Sequence, residues 1–123
     1  MNKILIVDDE EKVRKLVEIT LSIDKVEVLQ ASSGEDGLKI ARETKPDIIL
    51  LDVMMPGGFD GFDVCKILKE DPATRDIYII MLTAKGQKAD KEKGFASGVD
   101  DYFVKPFSPM ELMEKINKIL AEK

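Results

Sequence analysis

Polar side chains that can bind ions or transfer groups follow four short apolar segments, each at the point where the segment ends. They are Asp8 and Asp9 after the first segment, Asp52 after the second, Thr83 after the third and Lys105 after the fourth. If the segments are strands of one parallel sheet, their carboxyl ends meet at one edge, where ligands bind. The sequence therefore predicts a site with three carboxylates, one hydroxyl and one ammonium group.

The charge of this predicted site indicates a divalent cation. Two carboxylates about 4 Å apart repel each other by roughly 4 kcal/mol at an effective dielectric near 20. Lys105 offsets one of the three negative charges, and one divalent ion would offset the other two. Because the available ligands are oxygens, and the chain has no histidine and a single cysteine, Mg²⁺ is favoured over zinc, with Mn²⁺ as a second candidate.

A carboxylate beside such an ion, a hydroxyl and a lysine can receive a phosphoryl group. Asp52 is the candidate nucleophile and would form an acyl phosphate. The ion, Thr83 and Lys105 would neutralise charge on the oxygens of the transferring group. Taken singly, each residue also has a structural interpretation, because Asp9 could cap a helix, Thr83 could close a turn and Lys105 could be a solvated surface lysine.

The elements that must position these side chains are strands alternating with helices. The four apolar segments, 4–7, 48–51, 77–82 and 102–104, are typical of strands buried on both faces, and the alternating segment 26–30 suits a sheet edge. This order predicts an α/β fold with a parallel sheet and helices on both faces. Helical signals are an apolar stripe at Val13, Leu16, Val17, Thr20 and Leu21, a cap at Ser33, a stripe from Phe62 to Leu68, a weaker helix over 87–96, and Ser108-Pro109 opening the last helix.

Length, charge and composition limit the possible functions. With 123 residues we expect a single domain over 1–123 and no effector domain. The net charge of −5 argues against direct nucleic-acid binding, and apolar stretches of about five residues are too short for a membrane span. We therefore expect a cytoplasmic protein with no membrane insertion. The absence of histidine excludes Ser-His-Asp and Cys-His catalysis, and Cys65 is expected to be an inert core residue.

Four motifs at these strand ends resemble the receiver domain of two-component response regulators, and the resemblance covers essentially the whole chain. It implies a (βα)₅ doubly wound, flavodoxin-like sheet of five parallel strands in the order 2-1-3-4-5, in a single-domain protein similar to chemotaxis regulators. The motifs are Ile-Val-Asp8-Asp9-Glu10, Leu-Leu-Asp52-Val-Met-Met-Pro56, Thr83-Ala84 and Val-Lys105-Pro106-Phe107.

The resemblance also implies a role for individual residues. Asp52 would be the phosphoacceptor of a Mg²⁺-dependent reaction, with Thr83 and Lys105 binding the phosphoryl oxygens. Tyr102 and Thr83 would change conformation with phosphorylation, and the Lys105–Pro106 peptide would be cis. The implied metal ligands are Asp9 and Asp52 directly, Asp8 mainly through water, and the backbone carbonyl of Met54.

The implied partners are a sensor histidine kinase or a histidine phosphotransfer domain as phosphoryl donor, and a downstream protein. That protein would bind the face formed by the fourth helix, fifth strand and fifth helix, and the chain would dephosphorylate itself. One departure from the family pattern is an additional glycine in Gly57-Gly58, beside the predicted site. It bears on local geometry and hydrolysis rate rather than on the chemistry.

Three other functions are compatible with this fold class. A nucleotide or flavin binder is disfavoured because no G-x-G-x-x-G occurs and no glycine-rich loop follows Val7. An aspartyl phosphatase usually needs a second aspartate two residues after the nucleophile, where this chain has Met54. A flavodoxin-like module that binds proteins without being phosphorylated stays open as the alternative.

Overall fold

The computed structural model describes residues 2–22, 26–55, 59–84, 98–105 and 107–122. Strands and helices alternate through the first half of the chain, as predicted. The strands are β1 (Asn2–Val7), β2 (Val26–Ala31), β3 (Ile48–Asp52), β4 (Tyr78–Ala84) and β5 (Asp101–Lys105); the described helices are α1 (Glu11–Leu21), α2 (Gly34–Thr44), α3 (Gly61–Glu70) and α4 (Pro109–Ala121).

All strand pairs are parallel, and the sheet order is β2-β1-β3-β4-β5, which confirms the predicted order 2-1-3-4-5. In this register Asp52 pairs with Leu82, and Ala84 pairs with Lys105. The strand ends that carry the polar residues therefore lie side by side. We call this side of the sheet, with Asp8, Asp52 and Lys105, the carboxyl edge.

Both faces of the sheet are covered, which explains why the strands read as continuous apolar runs. Leu5, Ile49 and Met81 belong to the core cluster on the α2 and α3 face. Ile4, Leu50 and Leu82 belong to a second cluster on the α1 and α4 face. Neighbouring residues of one strand thus alternate between two cores, and each needs an apolar side chain.

Helix starts follow the local sequence signals closely. Ser33 and Ser108 cap α2 and α4 as predicted, each accepting a hydrogen bond from a backbone N–H three residues on. A reciprocal capping box between Asp60 and Asp63, with both bonds at 3.0 Å, opens α3 and was not identified from the sequence. Helix α1 begins after Glu10 without a side-chain cap.

The burial of two side chains tests the sequence predictions for the core. Leu16 was predicted to belong to the buried stripe of α1, but it is 36% exposed, because the helix turns Val17, Thr20 and Leu21 toward the interior instead. Cys65 is buried in the core, as expected. The predicted helix over 87–96, the Gly57-Gly58 loop and the Lys105–Pro106 peptide lie outside the described residues.

No helix in the described part of the chain combines the length and apolar character that crossing a membrane requires.

Candidate functional site

The carboxyl edge brings Asp8, Asp9 and Asp52 together, which confirms their predicted convergence. One carboxylate oxygen from each lies within 4.8 Å of the others. Asp8 is fully buried and Asp52 is 5% exposed, whereas Asp9 is exposed to solvent. Asp8 and Asp9 leave the end of β1, and Asp52 is the last residue of β3 beside it, so the sheet itself sets this geometry.

Asp8 is held at every polar atom. Its backbone N–H donates to Ala31 O at 3.1 Å, and its Oδ1 accepts from the backbone N–H of Glu10 at 2.9 Å. Its Oδ2 accepts from Lys105 Nζ at 2.8 Å, and its carbonyl oxygen accepts from Arg14 Nη1 at 2.8 Å. The buried carboxylate is therefore fixed in orientation, with each oxygen already bound by a donor.

Lys105 joins two of the three acids. Besides Asp8, its ammonium group donates to Asp52 Oδ1 at 3.2 Å and lies 3.8 Å from Glu10 Oε1. The lysine at the end of β5 thus reaches across β4 to the ends of β3 and β1. It is the cation that the sequence predicted for this edge, and it bridges the acids directly.

The electrostatics of the site show an excess of negative charge. Burial, reinforced by the charge of Asp8, raises the pKa of Asp52 to about 7, although Lys105 acts in the opposite direction. Burial lowers the pKa of Lys105, but its hydrogen bond to Asp8 and the nearby charge of Asp52 outweigh this and raise it. The lysine stays charged, and its single charge does not balance the three acids.

The donor set suits a hard divalent cation. Three carboxylates converge, two of them buried, and oxygen is the ligand atom that Mg²⁺ and Mn²⁺ prefer. A cation would also oppose the burial and the repulsion from Asp8 that together raise the pKa of Asp52. Beside the acids lies a cavity of about 230 Å³ lined by Asp9, Glu10, Asp52, Val53, Met54, Leu82 and Lys105.

Of the other predicted site residues that the structure describes, only Met54 lines this cavity. Met54 lines the cavity and is 67% exposed. Thr83 is buried in β4, one residue beyond the partner of Asp52, and is not among the residues that line the cavity. Tyr102 is half-buried on β5 and packs against the core cluster of the α2 and α3 face. Asp9 does not cap α1, because Glu10 precedes that helix.

Three contributors were not predicted from the sequence. Arg14 binds the Asp8 carbonyl, and Glu10 faces Lys105. Gly61 packs so closely under β3 that a Cβ there would lie 2.3 Å from the backbone oxygen of Asp52. The proximity of Glu10 to Asp8 and Asp9 was visible in the sequence, but the contacts of Arg14 and Gly61 depend on how helices meet the sheet.

A doubly wound five-stranded sheet with two adjacent acids, a third acid and a lysine at its carboxyl edge defines the class of receiver domains. The family "Response regulator receiver domain" matches residues 4–117, and the chain belongs to this family. This confirms the family that the four motifs indicated.

Known relatives agree with this assignment. The chain is 47% identical over 118 residues to "Probable transcriptional regulator ycf27" of Guillardia theta, covering 96% of this chain and 45% of the relative. It is 44% identical to "Transcriptional regulatory protein ResD" of Bacillus subtilis (strain 168), covering 96% and 48%. The solved structure of chemotaxis protein CheY4 of Vibrio cholerae matches with a TM-score of 0.89 and 33% identity, covering 97% of this chain and 98% of that one. The chain spans about half the length of the ycf27 and ResD relatives.

Proposed function

We propose that this receiver domain is a phosphoryl-accepting switch, in which Asp52 takes a phosphoryl group from a phosphohistidine. The observation that carries the proposal is the bridge made by Lys105 between Asp8 and Asp52, within a cluster of three carboxylates. The donor would be a sensor histidine kinase or a histidine phosphotransfer domain. This chain has no histidine of its own to play that part.

The residues that would hold Mg²⁺, or Mn²⁺ in its place, are Asp9, Asp52 and the backbone carbonyl of Met54, with Asp8 in an outer position. When bound, the ion supplies positive charge that offsets the carboxylates and the phosphoryl oxygens. It would also lower the pKa of Asp52, so that the carboxylate is ionised and able to attack at neutral pH.

In the proposed reaction an Asp52 carboxylate oxygen attacks phosphorus. The new O–P bond forms as the P–N bond breaks, and the electron pair stays on the imidazole nitrogen, which takes up a proton. Lys105 then shifts part of its hydrogen bonding from Asp52 to a phosphoryl oxygen, and the Thr83 hydroxyl donates to another. Hydrolysis would reverse the modification: water attacks phosphorus, the bond from phosphorus to the Asp52 oxygen breaks, and inorganic phosphate leaves as the carboxylate is restored.

The switch would be a shift between two conformations. Moving such an equilibrium from 1:99 to 99:1 requires about 5.5 kcal/mol, and one charge-assisted hydrogen bond contributes roughly 1.5–3 kcal/mol. Two or three new contacts to the phosphoryl group are therefore of sufficient size. Thr83 is buried and does not line the cavity, and we propose that on phosphorylation its hydroxyl moves inward and Tyr102 follows.

We propose that residues 1–123 act as one receiver domain through contact with a downstream protein. The contact face would combine the predicted fourth helix, over 87–96, with β5 and with the last helix, which is α4 in the structure. Because the net charge is −5, we propose that this domain makes no direct contact with nucleic acid. The names of the ycf27 and ResD relatives refer to proteins about twice this length.

The direct test is labelling with a small phosphodonor. With acetyl phosphate and Mg²⁺, we expect the protein to gain one phosphoryl group, detected by intact mass and removed by hydroxylamine, which cleaves acyl phosphates. Asp52→Ala should abolish labelling, whereas Asp36→Ala, which removes an exposed carboxylate from α2, should leave it unchanged. A chelator should prevent labelling in every variant.

Two results would count against the proposal. Labelling of a carboxylate in Asp52→Ala would show that the acceptor lies elsewhere. A protein that binds no Mg²⁺ and takes up no phosphoryl group would instead favour a module that binds its partners without being phosphorylated.

A further inference from the structure

Arg14 on helix α1 contacts the backbone of Asp8, the first residue of the acidic cluster. It lies in the first turns of α1, and its Nη1 donates to the backbone carbonyl of Asp8 at 2.8 Å. That carbonyl leaves the end of β1, where the chain turns from strand to helix. The guanidinium therefore ties α1 to the residue that starts the acidic cluster.

Arg14 binds a backbone carbonyl, although acidic side chains line the same groove. It lines a groove of about 460 Å³ outside the proposed site, together with the acidic residues Asp36 and Glu43. Even so, among the ion pairs of the described residues none involves Arg14. The hydrogen bond of the guanidinium is to a neutral carbonyl, so its direct contact is with the backbone of Asp8 rather than with a carboxylate.

The arginine completes the set of bonds around Asp8. Ala31 and Glu10 fix the backbone and one carboxylate oxygen, and Lys105 binds the other oxygen. Lys105 is the partner that the proposed phosphoryl group would compete for. When Lys105 turns toward a phosphoryl oxygen, the bond from Arg14 still holds the main chain that carries the Asp8 carboxylate.

We propose that Arg14 is a positioning residue that holds Asp8 in place and thereby raises the affinity of the acidic cluster for Mg²⁺. The inference rests on the proposed function, since it assumes that the cluster binds this ion. Arg14 would touch neither the metal nor the phosphoryl group. Residues that orient metal ligands in this way typically change metal affinity by 10–100-fold when they are mutated.

The sign of the effect separates positioning from charge. A positive charge near a cation site repels the cation, so if charge alone mattered, removing it would strengthen Mg²⁺ binding. If Arg14 acts by holding Asp8, removing it weakens binding. The two explanations therefore predict opposite changes in the same dissociation constant.

The experiment measures the Mg²⁺ dissociation constant of the unphosphorylated protein by calorimetry. We expect Arg14→Gln to bind Mg²⁺ about tenfold more weakly than the wild type, and Arg14→Lys, which keeps the charge and one donor, to fall between them. Lys15→Gln removes the same charge from the neighbouring exposed position of α1 and should stay within about twofold of the wild type. At saturating Mg²⁺, labelling of Arg14→Gln by acetyl phosphate should recover most of the wild-type rate.

A second readout does not depend on metal. In chelator, the carbonyl ¹³C resonance of Asp8 should shift in Arg14→Gln and stay in place in Lys15→Gln. Unchanged or tighter Mg²⁺ binding by Arg14→Gln would overturn the inference, as would an unmoved Asp8 carbonyl resonance. If Arg14→Gln does not fold, the same measurements on Arg14→Lys decide, and wild-type affinity there overturns it. Failure of the wild type to bind Mg²⁺ would instead remove the proposed function itself.

Discussion

The two ends of the sheet carry similar residues in different balance. At the carboxyl edge three acids converge, and Lys105 binds two of them, Asp8 and Asp52. At the opposite end, which we call the amino edge and which includes Asp47, Asp100 and Asp101, each acid has its own donor. Asp47 accepts a hydrogen bond from the backbone N–H of Lys3 at 2.8 Å. Asp100 accepts from Lys69 Nζ at 2.7 Å and from the backbone N–H of Ile79 at 2.9 Å. Asp101 pairs with Lys115 Nζ at 2.6 Å.

The number of acids therefore does not distinguish the two edges, but the number of cations per acid does. Acids matched one to one with donors fasten loops and strand ends. Acids left in excess, and buried, create a demand for positive charge, and the raised pKa of Asp52 expresses that demand. The difference marks the carboxyl edge as the stronger candidate for binding a cation.

The largest expected effect comes from a glycine under the carboxyl edge. In Gly61→Ala the new Cβ would lie 2.3 Å from the backbone oxygen of Asp52, so the end of β3 must move. We expect the free energy of unfolding to fall by about 3 kcal/mol and Mg²⁺ binding to be lost. Urea unfolding and calorimetry measure the two effects.

Gly98, near the amino edge, provides the matched control. Its φ of +92° makes an alanine there strained, and among the described residues the new Cβ would meet the side chain of Lys69. We expect Gly98→Ala to cost about 1–2 kcal/mol and to leave Mg²⁺ binding intact. Equal losses of Mg²⁺ affinity in the two variants would mean that the edges are not independent.

The next largest expected effect is a change in stability with pH that arises from Asp52. The pKa of Asp52 is about 7 in the folded protein and 3.8 without burial, so the folded state favours the protonated acid. The stability that this provides is fully present below pH 3.8 and is lost as the pH rises through 7. In chelator, the stability of Asp52→Asn relative to the wild type should therefore increase by roughly 2 kcal/mol between pH 5 and pH 8, after allowance for solvent screening.

Urea unfolding of both proteins at the two pH values measures this difference. Asp100→Asn serves as the comparison at the amino edge, where the acid is matched by Lys69 and its loss should destabilise the protein. A pH-independent difference between Asp52→Asn and the wild type would show that Asp52 is ionised in the metal-free protein.

The smallest expected effect is at the amino edge. Lys69 Nζ donates to the backbone carbonyls of Arg75 and Ile77, and to Asp100. Lys69→Met should cost about 1–2 kcal/mol of unfolding free energy, because these acceptors lose their donor, and should not change the Mg²⁺ dissociation constant. Lys66→Met, an exposed position on the same helix, should have little effect on either quantity. A weakened Mg²⁺ affinity in Lys69→Met would contradict the separation of the edges.

Most of the fold could be predicted because both faces of the sheet are buried. A segment such as 48–51 consists of apolar residues alone, which is typical of a strand buried on both faces. In the structure it forms β3, which extends one residue further, to Asp52. The convergence of Asp8 and Asp52 followed from parallel strands alone. Leu16 was misplaced because an apolar stripe of five residues does not fix which side of a helix faces the sheet.

The parts of the site that could not be predicted depend on contacts across elements. Arg14 has the sequence signature of any exposed helix residue, and only the approach of α1 to β1 shows its bond to Asp8. Thr83 likewise does not line the cavity, although it lies near the end of β4 as predicted, and its place in the sequence alone did not reveal this. Residue types at strand ends thus predict which groups meet, but not which of them already face the cavity.

The bond between Lys105 and Asp8 joins residues 97 positions apart, and the bond to Asp52 spans 53. During synthesis the acids are therefore made long before the lysine that bridges them, and a chain in which β5 has not yet docked has the acids but lacks this cation. If Asp52 accepts a phosphoryl group as proposed, the ability to be phosphorylated is then tied to completion of folding. On that proposal, a molecule whose last strand has not docked would not accept a phosphoryl group.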